Sequence, residues 1–365
     1  MRNLYRKINK YVPLAAIVIF GLSIISAFVY FFCAVFEKFA DLINLICAPF
    51  RLIISSITSI FPFSLFEIFL ISTPVLFVVL VFFAVKAVKK SNQATIKYLC
   101  IIISIPLCYF ISFVWTFASG YHTTPVSQRL EMDTDNITTD DMADALEYLT
   151  YELNELKKGV KYDENGASIM EYSYAEMSEK ISQAYKEMAK DTNLVRTFNS
   201  RVKPIILSEP MAYTHISGVY ISLTGEANIN TAYSDYIIAS TSAHEMAHQR
   251  GIAREDEASF VGFLALSYSN DAYLKYSGYL NVYYYLLSDL NKSSPKTAKE
   301  IYAKLDQEIK NDYNAYVKSF QKYNNSTASK VTEAVNNSYL QANGDKNGTE
   351  SYNLVSKLVC AYLTK

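Results

Sequence analysis

The chain has 365 residues, of which 51% are hydrophobic, and its formal net charge is −1. It carries no basic patch with interleaved aromatic residues, so we do not expect it to bind nucleic acid. Only one of its five cysteines, Cys360, lies beyond residue 118. A disulfide framework within the region that follows is therefore excluded, and a region of about 245 residues can hold a full hydrophobic core without one.

Three uncharged apolar runs are concentrated in the first third of the chain, at about residues 13–36, 68–85 and 98–118. Each is long enough to cross a bilayer as a helix, which takes about 20 residues. Three such runs so close together favour membrane spans over buried helices of a soluble protein. The first run is also too long for the apolar core of a signal peptide. The sequence thus predicts a membrane domain, residues 1–118, that is a bundle of three transmembrane helices.

Lysine and arginine flank these runs unequally. One basic cluster precedes the first run and another separates the second run from the third: Arg2, Arg6, Lys7 and Lys10, then Lys86, Lys89, Lys90 and Lys97. The positive-inside rule places both clusters in the cytoplasm. The sequence therefore predicts a multi-pass plasma-membrane protein whose N-terminus is cytoplasmic and whose residues 119–365 lie outside the cytoplasm.

Residues 119–365 are predicted to form a mostly helical α+β domain. Helical spacing covers residues 141–158 and 167–192, and short apolar runs at 203–210 and 218–224 suit strands. A helix with two histidines follows, then further helices to about residue 290. A helical extension completes the chain from about residue 295.

The segment STSAHEMAHQRGIAREDEASF, residues 240–260, contains two of the chain's four histidines. His244 and His248 are four residues apart and so share one face of a helix, where both can reach one tetrahedral metal ion at about 2.0–2.1 Å. Glu245 can take a proton from a water at the metal and pass it to a leaving amine. Two histidines and a carboxylate suit Zn²⁺ best. The spacing predicts a catalytic zinc site.

A catalytic zinc ion takes three protein ligands and keeps a fourth position open. No histidine follows His248, so the third ligand must be a carboxylate on the next helix: Glu255, Asp256 or Glu257. Glu255 shares its face with mostly small residues, which let the two helices approach each other. Glu257 shares a face with bulky residues, including Phe260. We favour Glu255 and keep Glu257 as the alternative.

Other polar residues receive structural interpretations. Tyr276 and Tyr279 could stabilise an oxyanion, but we favour packing roles for both. His215 is interpreted as structural or as lining a pocket. Glu209 and Glu226 are expected at the surface.

The segment HEMAHQRGIAREDEASF resembles the active-site segment of zincin metallopeptidases whose third ligand is a glutamate. Several of those families have a Glu-x-x-Ala-Asp/Asn signature, which aligns with Glu255 to Ser259 here and ends in serine instead. The resemblance implies a zincin-like fold, Glu255 as the ligand, and a cleft edge formed by the strand region 218–230. The chain also resembles an uncharacterised bacterial family of membrane proteins with a GEAN segment, HExxHxxG and ExEA, which implies no substrate.

We therefore expect a membrane-anchored zinc metallopeptidase that hydrolyses peptides or proteins outside the cytoplasm. The motif lies outside any apolar run, which argues against a protease that cuts within the bilayer. Two alternatives stay open: a membrane sensor, although residues 86–97 are short for an output domain, and a non-catalytic scaffold stapled by zinc. Glu245 distinguishes the enzyme from the scaffold, because a purely structural site has no use for it. The oligomeric state is not predicted.

Overall fold

The computed structural model describes residues 11–323, 327–343 and 354–365, so the first basic cluster lies outside the described residues. Four helices form the first third of this described chain: α1 Leu14–Val35, α2 Glu37–Thr58, α3 Leu65–Lys90 and α4 Asn92–Thr116. All four are long and apolar enough to cross a membrane. These helices indicate a membrane protein, as predicted, but they give four candidate spans where the sequence predicted three.

The additional helix is α2. It was missed because Glu37, Lys38, Asp41 and Arg51 interrupt its apolar sequence, whereas the prediction required an uncharged run. Its neighbours α1, α3 and α4 contain the three predicted runs. A single residue, Phe36 in an extended conformation, separates α1 from α2.

The remainder of the chain is mostly helical with little sheet, as predicted. Its helices are α5 Val126–Arg129, α6 Thr139–Leu156, α7 Tyr174–Thr192, α8 Ser208–Ala212, α9 Asp235–Gln249, α10 Glu255–Ser267, α11 Ala272–Ser293, α12 Pro295–Ala303, α13 Gln307–Lys322, α14 Thr327–Ala342 and α15 Val355–Leu363. Its strands are β1 Lys161–Tyr162, β2 Ser168–Ile169, β3 Lys203–Pro204, β4 Gly218–Ile221 and β5 Glu226–Ile229.

Two sheets are described. The strands β1 and β2 form an antiparallel pair, and the second sheet has the order β3-β5-β4. In that sheet β3 runs parallel to β5, and β4 runs antiparallel to β5 with Tyr220 opposite Ala227. The strand predicted at 203–210 is confirmed only at its start, because the helix α8 begins at Ser208. The strand β4 lies at an edge of its sheet.

The core of the domain forms around α9, α10 and α11. The helix α9 is buried on almost every side, so it is held by packing rather than by an exposed amphipathic face. Gly262 lets α10 approach α9 closely, because a Cβ atom at this position would lie 3.0 Å from the backbone nitrogen of His244. The Tyr185 hydroxyl donates to the carbonyl of Ala243 at 2.7 Å. These contacts fix the backbone that carries the two histidines.

Glu226 corrects another expectation. It was predicted at the surface, but its residue is 1% exposed. Its carboxylate accepts hydrogen bonds from the backbone N–H groups of Leu65 at 3.0 Å and Phe66 at 3.1 Å. These groups begin α3 and have no partner within the helix, so Glu226 joins the three-stranded sheet to α3. Glu209, by contrast, lies at the surface as expected, where it pairs with Lys322.

The packing interpretations of the tyrosines and His215 agree with the structure. Tyr276 is buried and donates to a carboxylate oxygen of Asp312 at 2.5 Å. The ring of Tyr279 lies against Phe263. The His215 ring packs on Phe320, with 4.2 Å between ring centroids.

Candidate metal centre

The helix α9 presents His244 and His248 on one face. Their ring centroids are 4.6 Å apart and the ring planes are nearly perpendicular. The helix ends directly after His248, and Gly251 then takes a left-handed conformation with φ of +93°. Glycine adopts this conformation without the steric cost that a side chain would add. The chain can therefore turn back at once and bring α10 over the histidine pair.

Glu255, the first residue of α10, reaches both histidines. Its Oε2 atom lies 3.1 Å from His244 Nε2 and 3.5 Å from His248 Nε2. Ligand atoms of the three residues all lie within 4.8 Å of one another. A tetrahedral zinc site with bonds of about 2.0–2.1 Å separates its ligand atoms by about 3.4 Å. The group could therefore hold a metal ion with little rearrangement.

Glu257, the alternative ligand, is engaged elsewhere. One oxygen of its carboxylate accepts from the backbone N–H of Val126 at 2.8 Å and lies 2.8 Å from an Arg254 guanidinium nitrogen. The structure thus brings Glu255, and not Glu257, to the histidines. Glu257 instead ties the start of α10 to α5.

The hydrogen bond at Nδ1 of His248 determines whether the other ring nitrogen, Nε2, can bind a cation. His248 Nδ1 lies 2.7 Å from the carbonyl oxygen of Ile252. A carbonyl oxygen only accepts, so Nδ1 must carry a hydrogen, and the neutral ring then has a bare lone pair at Nε2. That lone pair faces the Glu255 carboxylate at 3.5 Å. Two acceptors face each other stably only with a cation between them, either a proton or a metal ion.

His244 is oriented in a similar way. Its Nδ1 atom lies 3.0 Å from the Ser259 hydroxyl on α10. Contacts of this kind fix the ring orientation of metal-ligating histidines. Ser259 occupies the position where the resembling families have Asp or Asn. The hydroxyl therefore links the His244 ring to α10.

The charges of His248 and Glu255 each shift the pKa of the other residue. Burial lowers the pKa of His248, but the Glu255 carboxylate outweighs burial and raises the pKa to about 9. Burial raises the pKa of Glu255, but the two histidines outweigh it and hold this pKa well below its usual range. In the absence of metal, His248 and Glu255 therefore form a buried ion pair at neutral pH. The site is built to hold positive charge beside Glu255.

Glu245 lies beside the two histidines and is buried. Its residue is 4% exposed, and its Oε2 atom has no hydrogen-bond partner among the described residues. Burial raises the pKa of its carboxyl group, against the opposing effect of the two histidines. The nearby Tyr220 backbone N–H also lowers this pKa, but burial outweighs it. A buried carboxyl group with a free oxygen and a raised pKa is suited to proton transfer.

Gly218 in β4 makes room for Glu245. A Cβ atom at this position would lie 2.6 Å from Glu245 Oε1 and 2.5 Å from Thr241 Cγ2. The edge strand thus passes directly over the carboxylate. The sequence predicted this strand at the site but did not assign a role to its glycine.

Two aromatic residues that the sequence did not single out form a wall beside His248. The ring centroids of Phe117 and Tyr220 lie 5.5 and 6.3 Å from that of His248. The Tyr220 hydroxyl is buried and has no partner in the part of the chain that the structure describes. Phe117 lies at the end of a predicted membrane run, which concealed its place at the site. Tyr220 could have been found from its position in the predicted cleft strand.

Comparison with known proteins gives a family without an assigned activity. No curated protein and no solved structure matches the chain. One family model matches residues 42–360, and its description is "Protein of unknown function (DUF3810)". This match covers most of α2 and nearly all of the chain that follows, including the whole candidate metal centre. The chain therefore belongs to the DUF3810 family of proteins of unknown function.

Proposed function

We propose that this protein is a membrane-anchored zinc metallopeptidase of the zincin type, which hydrolyses peptide bonds outside the cytoplasm. The proposal rests on the convergence of the His244 and His248 Nε2 atoms on Glu255 Oε2, at 3.1 and 3.5 Å, with ligand atoms of all three residues within 4.8 Å of one another. Two imidazoles and one carboxylate suit Zn²⁺. Three protein ligands also leave a coordination position open, as catalytic zinc sites do and closed structural sites do not.

His244, His248 and Glu255 would hold the ion, which when bound supplies Lewis-acid polarisation of a water and of a scissile carbonyl. Glu245 supplies the proton transfer. Its unpartnered Oε2 and raised pKa suit it to accept a proton and to return that proton to the leaving amine. The backbone of β4 confines the carboxylate, since a Cβ atom at Gly218 would lie 2.6 Å from Glu245 Oε1.

The strand β4 gives the proposed substrate its position. Within the described residues it pairs with β5 alone, which leaves its other edge for an extended peptide. Such a peptide would bind through main-chain hydrogen bonds with little dependence on its sequence. Because Gly218 and Tyr220 contact the site from this strand, a peptide on its edge would lie beside Glu245.

The proposed orientation follows from α3 and α4. Lys86, Lys89 and Lys90 lie in the last turns of α3, and Lys97 lies near the start of α4. The opposite end of α3 contacts the outer domain through Glu67. The lysines therefore lie away from the domain, and the positive-inside rule places the metal centre outside the cytoplasm.

The test combines metal content with peptide cleavage, using the full chain in lipid nanodiscs. We expect one zinc ion per chain, lost when His244→Ala and His248→Ala are combined. A peptide library should reveal cleavage that Glu245→Gln lowers by about 10²–10⁴-fold while zinc is retained. Glu300→Gln, at a carboxylate that is 64% exposed, is the matched control and should change neither quantity.

Three results would contradict the proposal. Absence of zinc from the wild-type chain, after purification without chelators, would remove the metal centre. If zinc is present and Glu245→Gln leaves the cleavage rate unchanged, Glu245 does not carry the proton transfer. If zinc is present and no peptide is cleaved, the non-catalytic scaffold is favoured instead.

A further inference from the structure

The helix α2 has the reverse of the amphipathic pattern found in water-soluble proteins. Its exposed side is a continuous apolar stripe with helical spacing: Leu42, Leu45, Ile46, Phe50, Ile53 and Ile57, each about half exposed, from 47% for Ile46 to 55% for Phe50 and Ile57. Its buried side carries Arg51, Ser55 and Thr58 in its second half, after Ala40, Ile43 and Cys47 in its first half. A helix normally turns its apolar face towards the core and its polar face towards water. This reversal indicates an apolar medium on the exposed side.

The buried polar side of α2 binds the outer domain by hydrogen bonds to its backbone. Near the start of the helix, Asp41 accepts from the Thr124 N–H at 2.9 Å. One turn later, the Asn44 side chain donates to the carbonyl of Gly251 at 3.2 Å. Ser55 donates to the carbonyl of Gly225 at 2.8 Å. Contacts of one type thus follow the helix along most of its length.

The far end of α2 contacts the same domain. The carbonyl of Thr58, its last residue, accepts from Lys203 Nζ at 2.7 Å, and the hydroxyl of the next residue, Ser59, accepts from the Arg201 N–H at 3.2 Å. A helix of 22 residues is about 33 Å long. If it crossed the bilayer, Thr124 and Arg201 would lie on opposite faces of the membrane.

The partners of α2 also argue against a crossing helix. Thr124, Gly251 and Gly225 belong to turns and loops, not to helices. Irregular backbone does not occur within the hydrocarbon core where lipid can reach it. A crossing α2 would carry these loops through the full depth of the bilayer. A helix lying along the surface leaves all of them in the aqueous domain.

We infer that α2 does not cross the membrane but lies in the plane of the bilayer surface, with its apolar stripe in the acyl chains and the outer domain on its polar side. The occupant of the stripe is lipid because the stripe lies in the same segment of chain as the exposed apolar surfaces of α1, α3 and α4, each of which is long and apolar enough to cross. In-plane helices of this kind bury an apolar face at the boundary of headgroups and acyl chains. Only α1, α3 and α4 then cross.

This placement sets the height of the metal centre above the membrane. Asn44 holds the carbonyl of Gly251, which ends the turn after His248. Ser55 holds Gly225, in the turn between β4 and β5. The turn that follows His248 and the turn between β4 and β5 are therefore both held by side chains of α2. As a corollary that rests on the proposed function, the substrates are peptide segments that leave the bilayer close to its surface.

A depth measurement tests the in-plane position. Trp115 is the chain's only tryptophan, so a Trp115→Phe background allows one tryptophan to be placed at Ile46, Phe50, Ile53 or Ile57. The protein is reconstituted in phosphatidylcholine–phosphatidylglycerol vesicles with acyl chains brominated at shallow, middle or deep positions. We expect all four sites to be quenched by lipid at one shallow depth. A crossing helix would separate positions 46 and 57 by about 16 Å in depth.

Matched tryptophans on α3 calibrate the measurement. Phe69, Phe77 and Phe83 are exposed apolar positions along a helix expected to cross, and their depths should pass through a maximum at the middle. The same profile on α2 would overturn the inference. Quenching of the α2 sites by aqueous iodide, with none by lipid, would also overturn it, because water or protein would then cover the stripe.

A topology measurement does not depend on the tryptophan substitutions, one of which removes the Trp115–Ser26 hydrogen bond. Protease-accessible tags are placed at the two termini of the otherwise unchanged chain in sealed membrane vesicles. Three crossings require the tags to lie on opposite sides, and four crossings require the same side. Tags on the same side would refute the in-plane helix whether or not the protein is a peptidase.

Discussion

Glu226 and Glu67 each accept two backbone hydrogen bonds across the contact between α3 and the three-stranded sheet, here called the junction. Glu226, in the sheet, accepts the first backbone N–H groups of α3 at 3.0 and 3.1 Å. Glu67, in α3, accepts the backbone N–H groups of Ile206 at 2.9 Å and Leu207 at 2.6 Å. Glu226 thus satisfies donors of the helix that carries Glu67, and Glu67 satisfies donors that directly follow β3, the strand paired with β5. The sheet that carries β4 and the helix α3 are joined by these hydrogen bonds between side chains and backbone.

The first prediction concerns the stability of this junction. Glu226→Gln removes the negative charge that its two donors face and should lower the free energy of unfolding by about 1–3 kcal/mol. The measurement is the thermal unfolding midpoint of the full chain in nanodiscs. Glu209→Gln, at an exposed carboxylate, is the control and should stay within about 0.5 kcal/mol. Equal effects of the two variants would show that the junction adds no stability.

The second prediction concerns Gly218. In Gly218→Ala the new methyl group would meet Glu245 Oε1 at 2.6 Å, so the carboxylate must move. We expect cleavage to fall by at least about 100-fold with zinc content unchanged, because no metal ligand is touched. Gly21→Ala in α1, where a Cβ atom would meet nothing within 4 Å, controls for the loss of a glycine. A fully active Gly218→Ala variant would separate Glu245 from catalysis.

The third prediction concerns Ser259. In Ser259→Ala the Nδ1 atom of His244 loses the hydroxyl that lies 3.0 Å away. Loss of a contact that orients a metal-binding histidine weakens metal binding by about 10–100-fold. A competition titration with a zinc chelator measures this change. Ser259→Asp should retain tight binding, since it restores the residue type of the resembling families. Unchanged affinity in Ser259→Ala would mean that the hydroxyl does not hold the ring.

The fourth prediction concerns the protons that the chain releases when it binds zinc. Burial lowers the pKa of His248, but Glu255 outweighs it and raises the pKa to about 9, so the metal-free protein carries a proton on this ring at neutral pH. Zinc must displace that proton. We expect about one proton released per zinc bound at pH 7, falling towards zero well above pH 9, and an affinity that weakens as pH falls.

Calorimetry in two buffers of different ionisation enthalpy counts the released protons. Glu300→Gln, at an exposed carboxylate outside the site, is the control and should release the same number of protons as the wild-type chain. Zinc binding to the wild-type chain without proton release at pH 7 would contradict the ion pair between His248 and Glu255.

The sequence predicted the helical part of the site well because its signals are local. Four-residue spacing puts His244 and His248 on one face, Gly251 stops the helix, and a face of small residues lets α10 approach. The structure shows each of these features, with Gly262 at the closest contact. The metal ligands and the role of Glu245 stay predictions, since geometry alone does not establish a bound ion or a reaction.

The remainder could not be predicted because it depends on distant partners. Glu226 reads as a surface residue in its own segment, but its partners in α3 lie about 160 positions away along the chain. The helix α2 was missed because its charged side chains bind other parts of the chain instead of water. Arg51 donates to the carbonyl of Thr116 at the end of α4, and Asp41 accepts from the Thr124 N–H. Phe117 was assigned to the membrane from its apolar neighbours, although its ring lies beside His248.

The support that residues before 118 give to the candidate metal centre bears on whether the proposed peptidase could act after release from the membrane. A cut at the predicted boundary between residues 118 and 119 would remove Phe117 from His248 and Asn44 from Gly251. The released fragment would keep all three candidate metal ligands but lose the contacts from α2 and Phe117 that support them. We therefore expect that a fragment released into the medium would be inactive. The proposed peptidase would then cleave only substrates that reach it at the same membrane.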